Sequence, residues 1–339
     1  MDKIERKHRR TVLLMGAALV LCVLGSFTLG RYPVSLRELL GVLGYRMGLP
    51  IKSFWTSSVE AAVWNIRLPR VILSVLVGAC LAAAGGAYQG VFQNPMASPD
   101  ILGASAGAGF GAALAILLGA SSMGITIGAF AASLLTVALV FNVSRHARGD
   151  RVLGLVLAGI MISSLFQSGT SFLKLVADPN NQLPQITYWL MGSLSGAKWS
   201  DIGFVLIPML SGLVPLLLLR WQLNVITMGD DEARAMGVDP RKIRLWIAVT
   251  STLVTASAVS VSGMIGWVGL VIPHMMRRLV GSDYRFLMPA SMLGGGIFLL
   301  IVDNVSRAVA GIPIGILTAF IGAPFFLWLI TGKGDHYEH

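Results

Sequence analysis

Apolar residues in this chain fall in runs longer than the core of a soluble domain requires. Runs near the 20 residues that a helix needs to cross a bilayer cover 11–30, 69–90, 99–119, 122–144, 152–175, 203–220, 245–264, 286–305 and 312–331. A shorter and more polar stretch, 264–277, follows directly on one of them. Counting it, the pattern predicts ten transmembrane helices in an all-α integral membrane protein. A single membrane domain then spans 1–339, and both termini lie on one side.

Within the runs, small residues recur at helical spacing. Gly103, Gly107 and Gly111 stand four apart, with Ala104, Ala108 and Ala112 beside them, and Gly124 and Gly128 repeat the interval. Such spacing lets helix backbones approach closely in lipid. It predicts a packed bundle without saying which one.

Composition agrees. Hydrophobic residues make up 55% of the chain and charged residues 12%, half the share of a typical soluble domain. The net charge of +10 points to topology rather than to nucleic acid, because Lys and Arg collect in cytoplasmic loops of membrane proteins. With the N-terminus inside, 17 of the 26 basic residues fall on the inner face. Six of the others lie in the exterior stretch 31–70, where Trp55 and Trp64 suit a helix lying along the membrane surface. A second large exterior connection, 176–201, is rich in Asn, Pro and Gly. The basic cluster of Lys3, Arg6, Lys7, Arg9 and Arg10 before an apolar run resembles a secretory signal. The run is long enough to span and lacks a small-x-small cleavage site, so it reads as a retained first helix. Cys22 and Cys80 both lie in apolar runs and read as buried, unpaired thiols.

Chemistry inside the spans is sparse. An ion-coupled carrier would place an acid or histidine in mid-span, but Asp100, Lys174 and Asp303 all sit near span ends. No Gly-x-x-x-x-Gly-Lys-Ser/Thr phosphate cradle and no His/Cys/carboxylate cluster at metal-ligand spacing are present. A membrane-embedded enzyme would need paired catalytic groups at one depth, for which His274 and Asp283 make a thin case. The energy for uphill transport would therefore come from a partner.

Three connecting segments carry more information. The first reads Met228-Gly229-Asp230-Asp231-Glu232-Ala233-Arg234-Ala235-Met236-Gly237-Val238. Three acids, an apolar face and a terminal Gly predict a short amphipathic helix, either a solvated loop helix or a docking helix for a partner protein. The second, Asn65-Ile66-Arg67-Leu68-Pro69-Arg70, opens a span with Pro in its first turn. Its Arg67 and Arg70, with Arg307 beyond the ninth span, read as exterior arginines. They either anchor to headgroups or form a cationic rim for carboxylates of a delivering protein. The third, 89–103, joins two spans without a Lys or Arg and contains Asn94, Pro95 and Pro99. It reads as a hairpin turn or a gating turn.

Together with 266–274 and 312–326, these segments resemble the FecCD family, the permeases of type II ATP-binding-cassette importers for iron–siderophores, haem and vitamin B12. The resemblance runs in order over essentially the whole chain. It implies the type II importer permease fold and no enzymatic activity in this chain. The subunit would work as a homodimer in the bacterial inner membrane, with two ATPase subunits below it and a periplasmic or lipid-anchored substrate-binding protein above. It implies no cofactor on this chain, with ATP and Mg on the ATPase, and no nucleic-acid partner. By the same resemblance Arg67, Arg70 and Arg307 match arginines that pair with the binding protein. Gly229, Asp230, Asp231, Glu232, Ala233, Arg234, Ala235, Met236 and Gly237, within the cytoplasmic segment 221–244, match the helix that couples to the ATPase. Asn94, Pro95 and Met96 match the turn that closes the cytoplasmic gate. A second gate, before the fifth span, reads Arg148-Gly149-Asp150-Arg151 here, more charged than the family pattern, and its residues are left unassigned.

Overall fold

The computed structural model describes residues 3–29, 34–146, 151–309 and 311–331, and among these every regular element is helical. In chain order they are α1 (Lys3–Thr28), α2 (Leu36–Arg46), α3 (Ser57–Ala61), α4 (Leu68–Val91), α5 (Ala104–Leu117), α6 (Ser122–Ser144), α7 (Arg151–Val176), α8 (Gln182–Leu190), α9 (Trp199–Leu218), α10 (Arg220–Thr227), α11 (Asp230–Ala235), α12 (Pro240–Ser262), α13 (Val268–Val280), α14 (Tyr284–Ala308) and α15 (Ile314–Thr331). A π-helical segment, Ala62–Arg67, fuses α3 to α4 in one 35-residue rod, and a 3-10 turn, Pro99–Leu102, leads into α5.

Each of the ten apolar runs holds a helix. Among the described residues seven helices are long and apolar enough to cross a membrane: α1, the α3–α4 rod, α6, α7, α9, α12 and α14. Helix α5 and the described part of α15 are shorter apolar helices, and α13 has 13 residues. Length and composition in the folded chain thus support seven crossings directly.

Helix α4 is the axis of the bundle, packed against α9, α12, α13 and α14. Its Gly and Ala residues are what allow this. A Cβ on Gly78 would lie 2.2 Å from the Gly295 carbonyl oxygen of α14, and a Cβ on Gly295 would lie 2.2 Å from that of Gly78. A Cβ on Gly85 would fall 1.8 Å from the Gly269 carbonyl oxygen of α13. The predicted stripe on α5 packs as its spacing implies: a Cβ on Gly111 would meet the Gly128 carbonyl of α6 at 2.3 Å, and one on Gly107 would meet Thr136 at 2.0 Å. Gly124 does not belong to that contact, since its nearest neighbours are Ala120 and Ser121 in its own turn. Helices α1 and α7 lie at the periphery and expose Leu13, Leu14 and Leu21, and Leu157, Ile160 and Leu165.

Two connections between the apolar helices differ from expectation. Trp55 is not an interfacial anchor. It is buried in a small cluster with Val34, Leu39, Val42, Val59 and Val63, and its ring nitrogen donates to Glu60. The cluster forms because α2 folds back on the rod, its start fixed by a capping box between Ser35 and Glu38. The connection 176–201 is partly helical: α8 turns Ile186 inward, and the end of α8 is bound by Ser193 N–H donating to the Ser262 carbonyl at 2.7 Å. Cys80 is buried and Cys22 half-buried, both as free thiols.

Candidate functional site

The residues singled out in the sequence fall in three clusters, two at one end of the bundle and one at the other. The 24 residues of α4 separate the two ends by about 36 Å at the usual helical rise.

At the first end, α11 forms over Asp230–Ala235 and stops at Gly237, whose φ of 77° is the left-handed conformation that closes many helices. The Val238 amide then returns to the Ala233 carbonyl at 2.9 Å. Ala233 is fully buried and anchors the helix to the bundle. The three acids divide their work. Asp230 accepts two hydrogen bonds from Arg244 of α12, at 2.6 and 3.0 Å, and chiefly because of these its carboxyl is held below the usual range. Asp231 pairs with Arg234 at 2.9 Å while remaining almost fully solvent-accessible. Glu232 is exposed, as are Ala235, Met228 and Met236. Asp230 therefore orients the helix, and Asp231, Glu232 and the two methionines offer an acidic, apolar face.

Beside the end of α10, which leads into α11, lies the turn after α4. Asn94 Oδ1 accepts the Met96 amide at 2.8 Å, the local bond that makes Asn a turn former. Asn94, Pro95 and Met96 are exposed, and Ala97 is buried behind them. Gln93 precedes the turn with φ 47°, one of two non-glycine residues with positive φ among those described. Its Nε2 donates to the carbonyls of Ile226 at 3.2 Å and Thr227 at 3.4 Å, at the end of α10. Asn224 of α10 donates to Asp283 at 2.7 Å and accepts the Tyr284 amide at 2.8 Å. The Tyr284 hydroxyl donates in turn to the Gly86 carbonyl of α4 at 3.0 Å. Buried Gln89 donates to the Gly269 and Leu270 carbonyls and accepts from Arg277. Gln93, Gln89, Asn224 and Arg277 carried no signal in the sequence, because each acts on a distant partner, about 60 positions away for Asn224 and more than a hundred for the others. The second gate expected at 148–151 lies outside the described residues, apart from the backbone of Arg151.

At the opposite end, Arg67, Arg70 and Arg307 do come together, but around an internal acid. Asp303 of α14 is fully buried. Arg70 grips it with Nε at 2.9 Å and Nη2 at 2.8 Å, and Arg307 lies 3.4 Å from its other oxygen. Arg307 also donates to Ser26 and Asn304, and Arg67 donates to the Phe27 carbonyl at the end of α1. Arg67 is 6% exposed, and the Arg70 and Arg307 side chains 11% each. The rim read from the sequence is thus a buried knot of α1, α4 and α14, with only a small part of each arginine reaching the surface.

The chain is similar to known proteins along almost its whole length. The FecCD transport family matches residues 18–332. The chain is 38% identical to the molybdate import system permease of Haemophilus influenzae, over 93% of this chain and 94% of that protein. It is also 38% identical to the hemin transport system permease of Yersinia pestis, over 95% and 96% respectively. A cobalamin import permease of Halobacterium salinarum is 39% identical over 84% of this chain and 77% of that protein. Among solved structures, one described as an inward-facing metal-chelate type ABC transporter aligns over 95% of this chain and 99% of that one, with a TM-score of 0.84 and 37% identity.

Proposed function

This chain belongs to the FecCD transport family and is a multi-pass membrane permease subunit of an ATP-binding-cassette importer, and from that premise we propose that its cargo is a bulky metal chelate, iron(III)–siderophore ahead of haem and cobalamin. The observation that carries this reading is the likeness, at 37% identity over 95% of the chain, to a transporter of metal-chelate type. Two copies of the permease form the pathway in a bacterial inner membrane, with both termini cytoplasmic. Two ATPase subunits dock on the α11 face. A substrate-binding protein delivers cargo at the end marked by Arg67, Arg70 and Arg307, where its carboxylates meet the exposed margins of the arginines. The chain itself holds no cofactor, and ATP and Mg stay on the ATPase.

In this reading the work of transport is a coupling free energy between sites. Nucleotide binding draws the ATPases together, α11 carries that movement into the bundle, and the turn at Asn94, Pro95 and Met96 opens or closes the path. The binding protein supplies affinity for the cargo, so the permease needs few polar groups of its own in the spans.

A second cargo class has one specific support: the Haemophilus relative is named for molybdate, an oxyanion rather than a chelate. Proteoliposomes holding the permease with its ATPase and binding protein, tested for ATP-dependent uptake of iron–siderophore, haem, cobalamin and molybdate, decide between them. Uptake of a chelate supports the proposal. Uptake of molybdate alone replaces the cargo, and transport on an ion gradient without ATP removes the reading.

A further inference from the structure

We propose that Gln93 is the positioning residue that makes the cytoplasmic turn follow the ATPase, by fastening that turn to the last carbonyls of α10. The inference rests on the reading of α11 as the ATPase-docking helix and of Asn94, Pro95 and Met96 as a gate, and adds the link between them.

The final carbonyls of any helix have no partners within it. At the end of α10, those of Ile226 and Thr227 both accept from one side-chain amide, Nε2 of Gln93, at 3.2 and 3.4 Å. Only Met228 and Gly229 separate Thr227 from the start of α11, so a displacement of α11 reaches these carbonyls with little slack between. On the other side of the contact, Gln93 directly precedes the Asn94 turn and holds a left-handed backbone, φ 47°. Side chains seldom adopt that region, and it persists where surrounding contacts over-determine it. The conformation of Gln93 therefore sets the direction in which Asn94, with its bond to the Met96 amide, leaves α4.

A second tie prevents α10 from pivoting freely. Asn224 exchanges two hydrogen bonds with Asp283 and Tyr284, and the Tyr284 hydroxyl reaches the Gly86 carbonyl of α4. The C-terminal half of α4 and the residues just after it are thus held to α10 at two points, indirectly near Gly86 and directly at Gln93. The indirect tie runs through the body of the bundle, whereas the direct one ends on the exposed turn. A pull on α11 then acts on the turn relative to the bundle. The chemistry required of residue 93 is a hydrogen-bond donor facing two acceptors. Methionine has nearly the shape of glutamine without the donor, glutamate has the shape with acceptors only, and lysine restores donors.

The test uses the complete permease–ATPase complex in proteoliposomes with a Met96→Cys reporter, labelled by a membrane-impermeant maleimide with and without nucleotide. In the otherwise unchanged chain, labelling responds to nucleotide. With Gln93→Met, the ATPase still co-purifies and hydrolyses ATP, the labelling response is lost, and transport per ATP falls roughly five- to tenfold, the scale of one lost hydrogen bond. Gln93→Lys restores both. Should Gln93→Met fail to assemble, Gln93→Glu takes its place with the same expectation. An unchanged labelling response and transport ratio in the donor-less variant would overturn the proposal, and so would an equal loss in Gln93→Lys. A reporter that ignores nucleotide in the otherwise unchanged chain, or a permease that recruits no ATPase, identifies failure of the underlying reading, and the proposal falls with it.

Discussion

Arg70 and Asp303, 233 positions apart in the chain, form a two-pronged ion pair with Nε at 2.9 Å and Nη2 at 2.8 Å from the same carboxylate oxygen, and Asp303 has no exposed surface. Arg70 and Arg307 share this one acid, with Arg67 bound to the Phe27 carbonyl beside them, so the knot carries an excess of positive charge held against its own repulsion. A carboxylate of a docking protein approaching Arg70 or Arg307 therefore competes with Asp303 rather than meeting free cations.

Removing the acid should unfold this end of the bundle. Asp303→Asn leaves buried guanidinium groups without their counter-charge, a change that costs about 3–5 kcal/mol in comparable buried pairs. The melting temperature of the detergent-solubilised protein should drop clearly, and less for Arg70→Lys, which keeps the charge but loses the fork. An unchanged melting temperature for Asp303→Asn would contradict the pairing.

Charge reversal at Arg70 should fail for the same reason. Arg70→Glu sets a second carboxylate against Asp303, so the protein should be lost from the membrane fraction whether or not a binding protein is present. Arg307→Gln, which keeps a donor for Ser26, should leave a folded permease that binds the delivering protein more weakly. Pull-down at two salt concentrations reads this, and equal binding by the two forms counts against a docking role.

Neighbouring glycines on α4 should respond in opposite ways. A Cβ at Gly85 meets backbone at 1.8 Å, while one at Gly86 has nothing nearer than Pro273 at 3.6 Å. Gly85→Ala should destabilise by about 1–3 kcal/mol or more. Gly86→Ala should be neutral or slightly stabilising, because alanine favours helix over glycine by about 1 kcal/mol. Thermal unfolding of the two variants side by side checks the close approach of α4 and α13.

The acids of α11 should separate into two functions. Asp231→Lys with Glu232→Lys should weaken co-purification of the ATPase while leaving the permease folded. Normal assembly with full transport would remove that face as the docking surface.

Asp230 should act through orientation and with a defined pH dependence. Its carboxyl lies below the ordinary value chiefly through the Arg244 hydrogen bonds. A depressed carboxylate contributes stability that is complete above the unfolded-state value of about 3.9 and is lost as pH falls through the folded value. Hydrogen exchange of the α11 amides, corrected for intrinsic rates, should therefore be flat from pH 8 to about 5 and report opening only below about pH 4. Asp230→Asn should open the helix throughout and flatten the acid limb.

Helices were legible in the chain because hydropathy is a local signal, and α11 because acids, apolar positions and a stop glycine all lie within ten residues. Relations between distant segments were not. Nothing near Asp303 marks it as the counter-charge of arginines more than 230 positions earlier, so Arg67 and Arg70 read as surface residues until α4 and α14 were seen side by side. Trp55 read as interfacial because aromatic residues between spans usually are, whereas the fold of α2 onto the rod buries it. The Gly103, Gly107 and Gly111 stripe was visible through its regular interval. The reciprocal backbone contact of Gly78 with Gly295 was not, since a pair on two helices has no interval to repeat.

That last contact limits how the molecule can change shape. Where two helices touch backbone to backbone, carbonyls and α-carbons interlock like the teeth of a closed zip. Sliding one past the other would require a step of a full turn, about 5.4 Å, with separation of the backbones on the way. Helices α4 and α14 must then travel as a single beam. Rotation of that beam as a unit would shift the arginine knot at one tip and the Gln93 turn at the other in opposite directions, so a movement imposed at one end of the bundle would be mechanically visible at the other.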